Sequence, residues 1–142
     1  MNRQLINRVI FLLSILGLGV SAFLVYEYSL PTPVFCPIGG SGCETVRNSP
    51  YSSFFGLPLP LMGSLFYLTI GFLTVIKTSI KSSLLYLFQF LFSIVAVLFG
   101  TYLTYLEIFV ILAICVWCVL SFIISIGILI LSYLDWKKAD EN

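Results

Sequence analysis

The sequence predicts an all-α membrane protein, a four-transmembrane-helix bundle with a short interfacial helix in the first external loop. Three observations carry that prediction. Of 142 residues, 60% are hydrophobic and 9% charged, where an ordinary soluble domain is about a quarter charged. Uncharged runs recur at the length that crosses a hydrocarbon core, roughly 20 residues for about 30 Å. Six of the seven basic residues fall on one side of those runs, as the preference of Lys and Arg for the cytoplasmic face requires.

The first span is expected over about 9–28. No charge interrupts 9–26, and Tyr26 and Tyr28 suit interfacial anchors. Arg3 and Arg8 ahead of the run, with Ser21 and Ala22 near its end, imitate a signal peptide. The run is longer than the usual apolar region of such a peptide, so an uncleaved span is expected. The external loop 27–56 follows, carrying Pro31, Pro33, Pro37, Pro50, Gly39, Gly40 and Gly42. Proline fixes backbone torsions and glycine permits unusual ones, so irregular turns are predicted around Cys36.

Ser49 before Pro50 matches an N-cap followed by proline at the first helical position, which predicts a short helix over 51–55. With Tyr51, Phe54 and Phe55 it would lie at the interface; the alternative is an aromatic-rich loop resting on headgroups. Gly56, Pro58 and Pro60 would end it and open span two, 57–76, which Lys77 and Lys81 close. From 84 to 134 the one charge is Glu107. A single helix of that length would extend about 75 Å, so two spans are expected, 84–106 and 108–134, folding back near Glu107, read as a solvated loop charge. Residues 1–142 then form a single membrane domain with both termini cytoplasmic. A net charge of +1 without a basic stripe leaves no footprint for nucleic acid; the surrounding partner is membrane lipid.

Cysteine is a reasonable small apolar residue in a membrane helix, so position discriminates. Cys36 and Cys43 lie in the external loop, and Cys115 and Cys118 near the outer end of span four. All four fall on the oxidising side, where disulfides persist. Cys115-Val116-Trp117-Cys118 has C-x-x-C spacing, which in a helix places both sulfurs on one face. With a helix start at Ile108, Cys115 would sit two turns in, where the dipole's help to a thiolate has faded. The chain has no histidine, and the six-residue gap between Cys36 and Cys43 does not match a zinc knuckle, so no metal site is expected. A structural loop disulfide plus a chance C-x-x-C is the alternative to redox chemistry.

The segment Gly42-Cys43-Glu44-Thr45-Val46-Arg47-Asn48-Ser49-Pro50-Tyr51, running on to Phe55-Gly56-Leu57-Pro58, resembles the first loop of the vitamin K epoxide reductase family, especially its bacterial members. The C-x-x-C of span four resembles that family's inner pair, and the resemblance covers span one to span four. It implies an electron relay in which a thioredoxin-like (DsbA-like) protein meets Cys36, Cys43 shuttles to Cys115, and Cys118 faces a membrane quinone, ubiquinone or menaquinone. Ser49 would support the cysteine chemistry, while Phe55, Tyr51 and Phe122 would border the quinone alongside Cys118. It also implies a bacterial inner membrane, with the cysteines on the periplasmic side.

Two positions depart from the pattern. Val116 stands where members often carry proline. Phe122 stands where the vitamin K enzymes of animals carry tyrosine, which removes a hydroxyl donor and speaks against an epoxide substrate. The chain ends eight residues after Leu134, so the thiol partner is expected to be a separate polypeptide. The competing reading from another class is a membrane scaffold or transporter subunit with a structural disulfide, which would tolerate loss of Cys115 and Cys118.

Overall fold

A computed structural model describes residues 1–38 and 40–141; Gly39, among the expected turn glycines, and Asn142 lie outside the described residues. Four long helices dominate it: α1 (Arg3–Ser29), α3 (Leu59–Ser79), α4 (Ser83–Tyr105) and α5 (Val116–Asp140). All four are long and apolar enough to cross a membrane, which makes this a multi-pass membrane protein with an all-α bundle fold. Short elements gather at one end of the bundle, termed the outer end: helix α2 (Gly42–Arg47) and strands β1 (Ser53–Phe54) and β2 (Leu57–Pro58). The short 80–82 link between α3 and α4 lies at the other, inner end, with both chain termini.

The long helices are held together by a narrow seam rather than a wide core. Ile6, Ile10, Tyr67, Ile70, Ile124 and Ile128 are buried where α1, α3 and α5 meet, while Leu16, Phe72 and Leu98 are exposed, as lipid-facing side chains must be. Small residues permit the close approach that membrane helices use. A Cβ on Gly63 would come within 2.9 Å of the Ser21 hydroxyl, and one on Gly71 within 3.2 Å of that of Ser14. The buried Tyr67 hydroxyl joins α3 to α5, 2.8 Å from the Ser121 carbonyl and 3.1 Å from Ser125 Oγ.

Two sequence expectations are corrected. The short helix of the external loop lies at Gly42–Arg47, not over 51–55. Ser49 caps no helix start: its hydroxyl donates to the Val46 carbonyl at 2.7 Å, just past the end of α2. Residues 53–58 instead form a hairpin, with Ser53 opposite Pro58 and Phe54 opposite Leu57. Its two turn residues, Phe55 (φ 52°) and Gly56 (φ 79°), both take positive φ, the combination a two-residue type I′ hairpin turn demands.

The second correction concerns the reversal between spans three and four. Helix α4 does not stop at Glu107 but runs on as a π-helical turn, Leu106–Ile111. The chain turns back over 112–115, with Leu112 left-handed (φ 57°), and α5 begins at Val116. Cys115 is therefore the N-cap of α5 and not two turns inside it.

Candidate active site

The loop from Tyr28 to Val46 is organised by two charges of α2. Arg47 donates to the carbonyls of Leu30 (2.6 Å), Thr32 (2.9 Å) and Tyr28 (3.2 Å). Glu44 accepts the Val34 N–H at 2.9 Å and Asn48 Nδ2 at 3.0 Å, and pairs with Arg47 at 3.4 Å. The Val34 N–H, Asn48 and Arg47 together hold the Glu44 carboxyl below the usual carboxylate range. Trp117 in the first turn of α5 reaches back, donating from Nε1 to the Phe35 carbonyl at 2.8 Å with its ring against Phe23. These ties fix the backbone leading into Cys36 against α2 and α5.

All four cysteines consequently meet in one cluster with Leu24, Val34 and Val46. Cys43 Sγ lies 2.7 Å from Cys36 Sγ and also within hydrogen-bond reach of the Cys115 thiol and the Val116 N–H. Helix α2 comes this close because residue 42 is glycine: a Cβ there would collide with the Ile114 carbonyl oxygen. Cys43 and Cys115 are each 1% exposed, while Cys36 and Cys118 are half-buried at the two ends of the row. The spatial order is thus Cys36, Cys43, Cys115, Cys118.

The two buried sulfurs differ electrostatically. Cys115 Sγ accepts the Cys118 N–H at 3.3 Å, using an amide that the first turn of a helix leaves unpaired. The Cys118 thiol also donates to it, and these contacts hold Cys115 below the ordinary thiol value. Burial and the hydrogen bond to Cys36 push the Cys43 thiol up to about 12. Of the two, Cys115 is the thiol that gives up its proton more readily.

Behind Cys118 opens a cavity of about 600 Å³ between α3 and α4. Its walls are mainly apolar, with Phe66, Val95 and Phe99 flanking, Phe122 of α5 behind and the Glu107 carboxylate among the few polar groups; Tyr51 and Phe54 border it at the outer end. Gly100 accommodates the Phe122 ring, since a Cβ there would come within 2.6 Å of it. Of the residues expected beside a quinone, Cys118, Tyr51 and Phe122 line this space. Phe55 does not: it is 90% exposed, and its neighbour Phe54 takes the wall position. Ser49 borders a separate shallow pocket with Thr45 and Val110, its hydroxyl bonded to the backbone of α2.

One residue of the site was misread in sequence. Glu107 is 5% exposed, and its carboxylate accepts the Cys115 N–H at 3.2 Å and lies within hydrogen-bond reach of the Cys118 thiol. Its own carbonyl accepts the Ala113 N–H, so backbone and side chain together shape the 112–115 turn. The signal was available: a lone ionisable group in a long apolar run is by default a functional residue.

Dithiol–disulfide exchange is the chemistry this end of the bundle is arranged for, which defines the class as a membrane thiol oxidoreductase. The chain belongs to the vitamin K epoxide reductase family, whose sequence pattern matches residues 8–133. It is also similar to the thiol-disulfide oxidoreductase LTO1 of Arabidopsis thaliana, 45% identical over 47 residues. That stretch is 33% of this chain and 12% of LTO1, so the likeness spans a small part of that protein.

Proposed function

We propose that the protein is a quinone-dependent thiol oxidase of a bacterial inner membrane, with its cysteines periplasmic, that reoxidises a separate thioredoxin-like protein. The observation that supports it most is the unbroken row of sulfurs leading from the half-exposed Cys36 to Cys118 at the cavity wall. The cavity fits a quinone ring and the start of its tail: apolar walls, aromatic faces and a sulfur at the wall. When bound, the quinone supplies the two-electron sink.

Exchange proceeds by thiolate attack on a disulfide sulfur. A partner thiolate attacks Cys36 of the Cys36–Cys43 disulfide, forming a mixed disulfide and expelling Cys43 as a thiolate. The high value of the Cys43 thiol slows its expulsion, but once expelled Cys43 is already a thiolate, needs no base and is a strong nucleophile towards Cys115. Cys43 then attacks Cys115 of the inner disulfide and expels Cys118 as a thiolate. The partner's second thiol, once deprotonated, attacks its own mixed-disulfide sulfur, leaves as a disulfide and releases Cys36 as a thiolate. Cys36 attacks Cys43, closing the loop disulfide and expelling Cys115. Two electrons have moved inward, and the loop pair is as it began.

The lowered value of Cys115 gives this last step its direction, since a less basic thiolate leaves faster. The inner pair re-forms its disulfide as Cys115 and Cys118 give those electrons up, and a quinone held beside Cys118 would be their acceptor. The test mixes purified protein, a reduced thioredoxin-like partner and ubiquinone or menaquinone, and follows quinone reduction in wild type and in each Cys→Ala variant. All four variants are expected to lose turnover. Wild-type turnover in both Cys115→Ala and Cys118→Ala would refute the relay and favour a scaffold with a structural disulfide.

A further inference from the structure

The relay requires the Cys118 sulfur to gain and lose a proton each cycle, at a site that contains no histidine and whose Cys115 and Glu107 are 1% and 5% exposed. We propose that Glu107 is the proton-transfer residue of the inner pair, taking the proton of the Cys118 thiol when the pair is oxidised and returning it when Cys43 opens the inner disulfide. The proposal rests on the relay assignment, but on the inner pair alone and on neither the quinone nor the partner.

The geometry places the carboxylate at the reacting atoms. It bonds the Cys115 N–H at 3.2 Å, reaches the Cys118 thiol and lines the cavity into which Cys118 faces. Among the described residues no other carboxylate lines that cavity. Nor is the charge neutralised as buried structural charges are. The ion pairs among the described residues are Arg3–Asp135, Lys77–Asp135 and Arg47–Glu44, and Glu107 is in none. The titratable groups around it are the thiols of Cys115 and Cys118, with Cys43 from α2 and Tyr28 from α1 in the same surroundings. Arg47, the cation of this end, is committed to Glu44 and three backbone carbonyls. A carboxylate with thiols for neighbours and no fixed counter-ion is free to exchange protons with them.

The step balances. In oxidation the Cys118 S–H bond breaks, its proton goes to a Glu107 oxygen, and the Cys115–Cys118 bond forms between that sulfur and the Cys115 thiolate, the electron pair passing to a disulfide or quinone acceptor. In the return direction the disulfide accepts an electron pair from Cys43, Cys118 leaves as a thiolate, and Glu107 protonates it. General acid–base help of this kind contributes typically about 10²–10⁴-fold.

The test uses the full chain with Cys36→Ala and Cys43→Ala, so that only the inner pair reacts. Its oxidation by a small uncharged disulfide, 4,4′-dithiodipyridine, is followed from about pH 5 to about pH 9, where carboxylates and thiols titrate. Glu107→Gln keeps an oxygen for the Cys115 N–H but cannot take a proton. It is expected to slow oxidation by about a hundred-fold at the acid end and to leave a rate that rises about tenfold per pH unit through the acid range, where wild type is flatter. Glu107→Asp should restore the wild-type profile in part.

A second readout needs no substitution to fold. In infrared difference spectra of the wild-type inner pair, reduction against oxidation, a carboxyl C=O band should change, and isotopic labelling of glutamate should shift it. A Glu107→Gln profile superimposable on wild type, or no labelled carboxyl change, would overturn the proposal and leave Glu107 as a structural cap of Cys115. Failure of quinone reduction with this profile intact would instead count against the acceptor assignment alone.

Discussion

The two ends of the bundle meet the same problem, an ionisable group buried among apolar helices, and answer it in opposite ways. At the inner end Lys77 Nζ lies 2.6 Å from Asp135 Oδ2, their side chains 1% and 3% exposed. Arg3 stands 3.9 Å from the other Asp135 oxygen, and both cations lie 4.8 Å from the Tyr86 ring centre. The buried charges there, Lys77 and Asp135, are fixed on each other, and with Arg3 they latch α1, α3 and α5 together. At the outer end Glu107 has hydrogen-bond partners but no counter-ion among the described residues, and the groups around it are thiols. Pairing makes a buried charge structural; leaving it unpaired beside sulfur is what the proposed proton transfer requires.

Lys77→Met breaks the comparison at its inner side and should have the largest effect on stability. Removing one partner of a buried ion pair costs about 3–5 kcal/mol, so unfolding in a denaturing detergent series should shift by that amount while exchange among the outer cysteines in folded protein is unchanged. Gly42→Ala attacks the outer side. The new Cβ would drive α2 off the Ile114 carbonyl and separate Cys43 from Cys115. A misplacement near 1 Å costs roughly a hundred-fold in rate, read as slower Cys43–Cys115 exchange at nearly wild-type stability.

Trp117→Phe should act more weakly. Losing the bond to the Phe35 carbonyl removes about 1 kcal/mol of loop ordering, which should raise alkylation of reduced Cys36 about fivefold. The smallest effect is a pH dependence of the loop. Glu44 titrates below its ordinary value in the fold, so its stabilisation is complete above the unfolded value of about 4.3 and is lost as pH falls through the lower folded value. Hydrogen exchange at the Val34 amide should accelerate, relative to the bundle, on acidification through that range, and Glu44→Gln should abolish the change.

Much of this was legible in the sequence. Runs without charge located the four spans, because burying a charge in lipid is costly wherever it occurs, and the cysteine spacing singled out the four sulfurs. The helix reversal was displaced because Leu112 adopts a left-handed conformation with neither glycine nor proline to announce it. The short helix was misplaced because Ser49-Pro50 has the form of a helix start, whereas the Phe55-Gly56 turn commits the following residues to a hairpin. Closeness of Cys43 to Cys115, 72 positions apart, depends on Gly42 meeting the 112–115 turn, a tertiary contact that no local pattern encodes.

The central claim, that electrons cross from loop to bundle through a Cys43–Cys115 bond, has a direct measurement. In Cys36→Ala with Cys118→Ala, the two remaining thiols are the proposed bridge. Mild oxidation of the folded protein followed by proteolysis and mass spectrometry should yield a peptide linking Cys43 to Cys115 in high yield. Free thiols at both positions after oxidation, in protein that retains its helical fold, would contradict it.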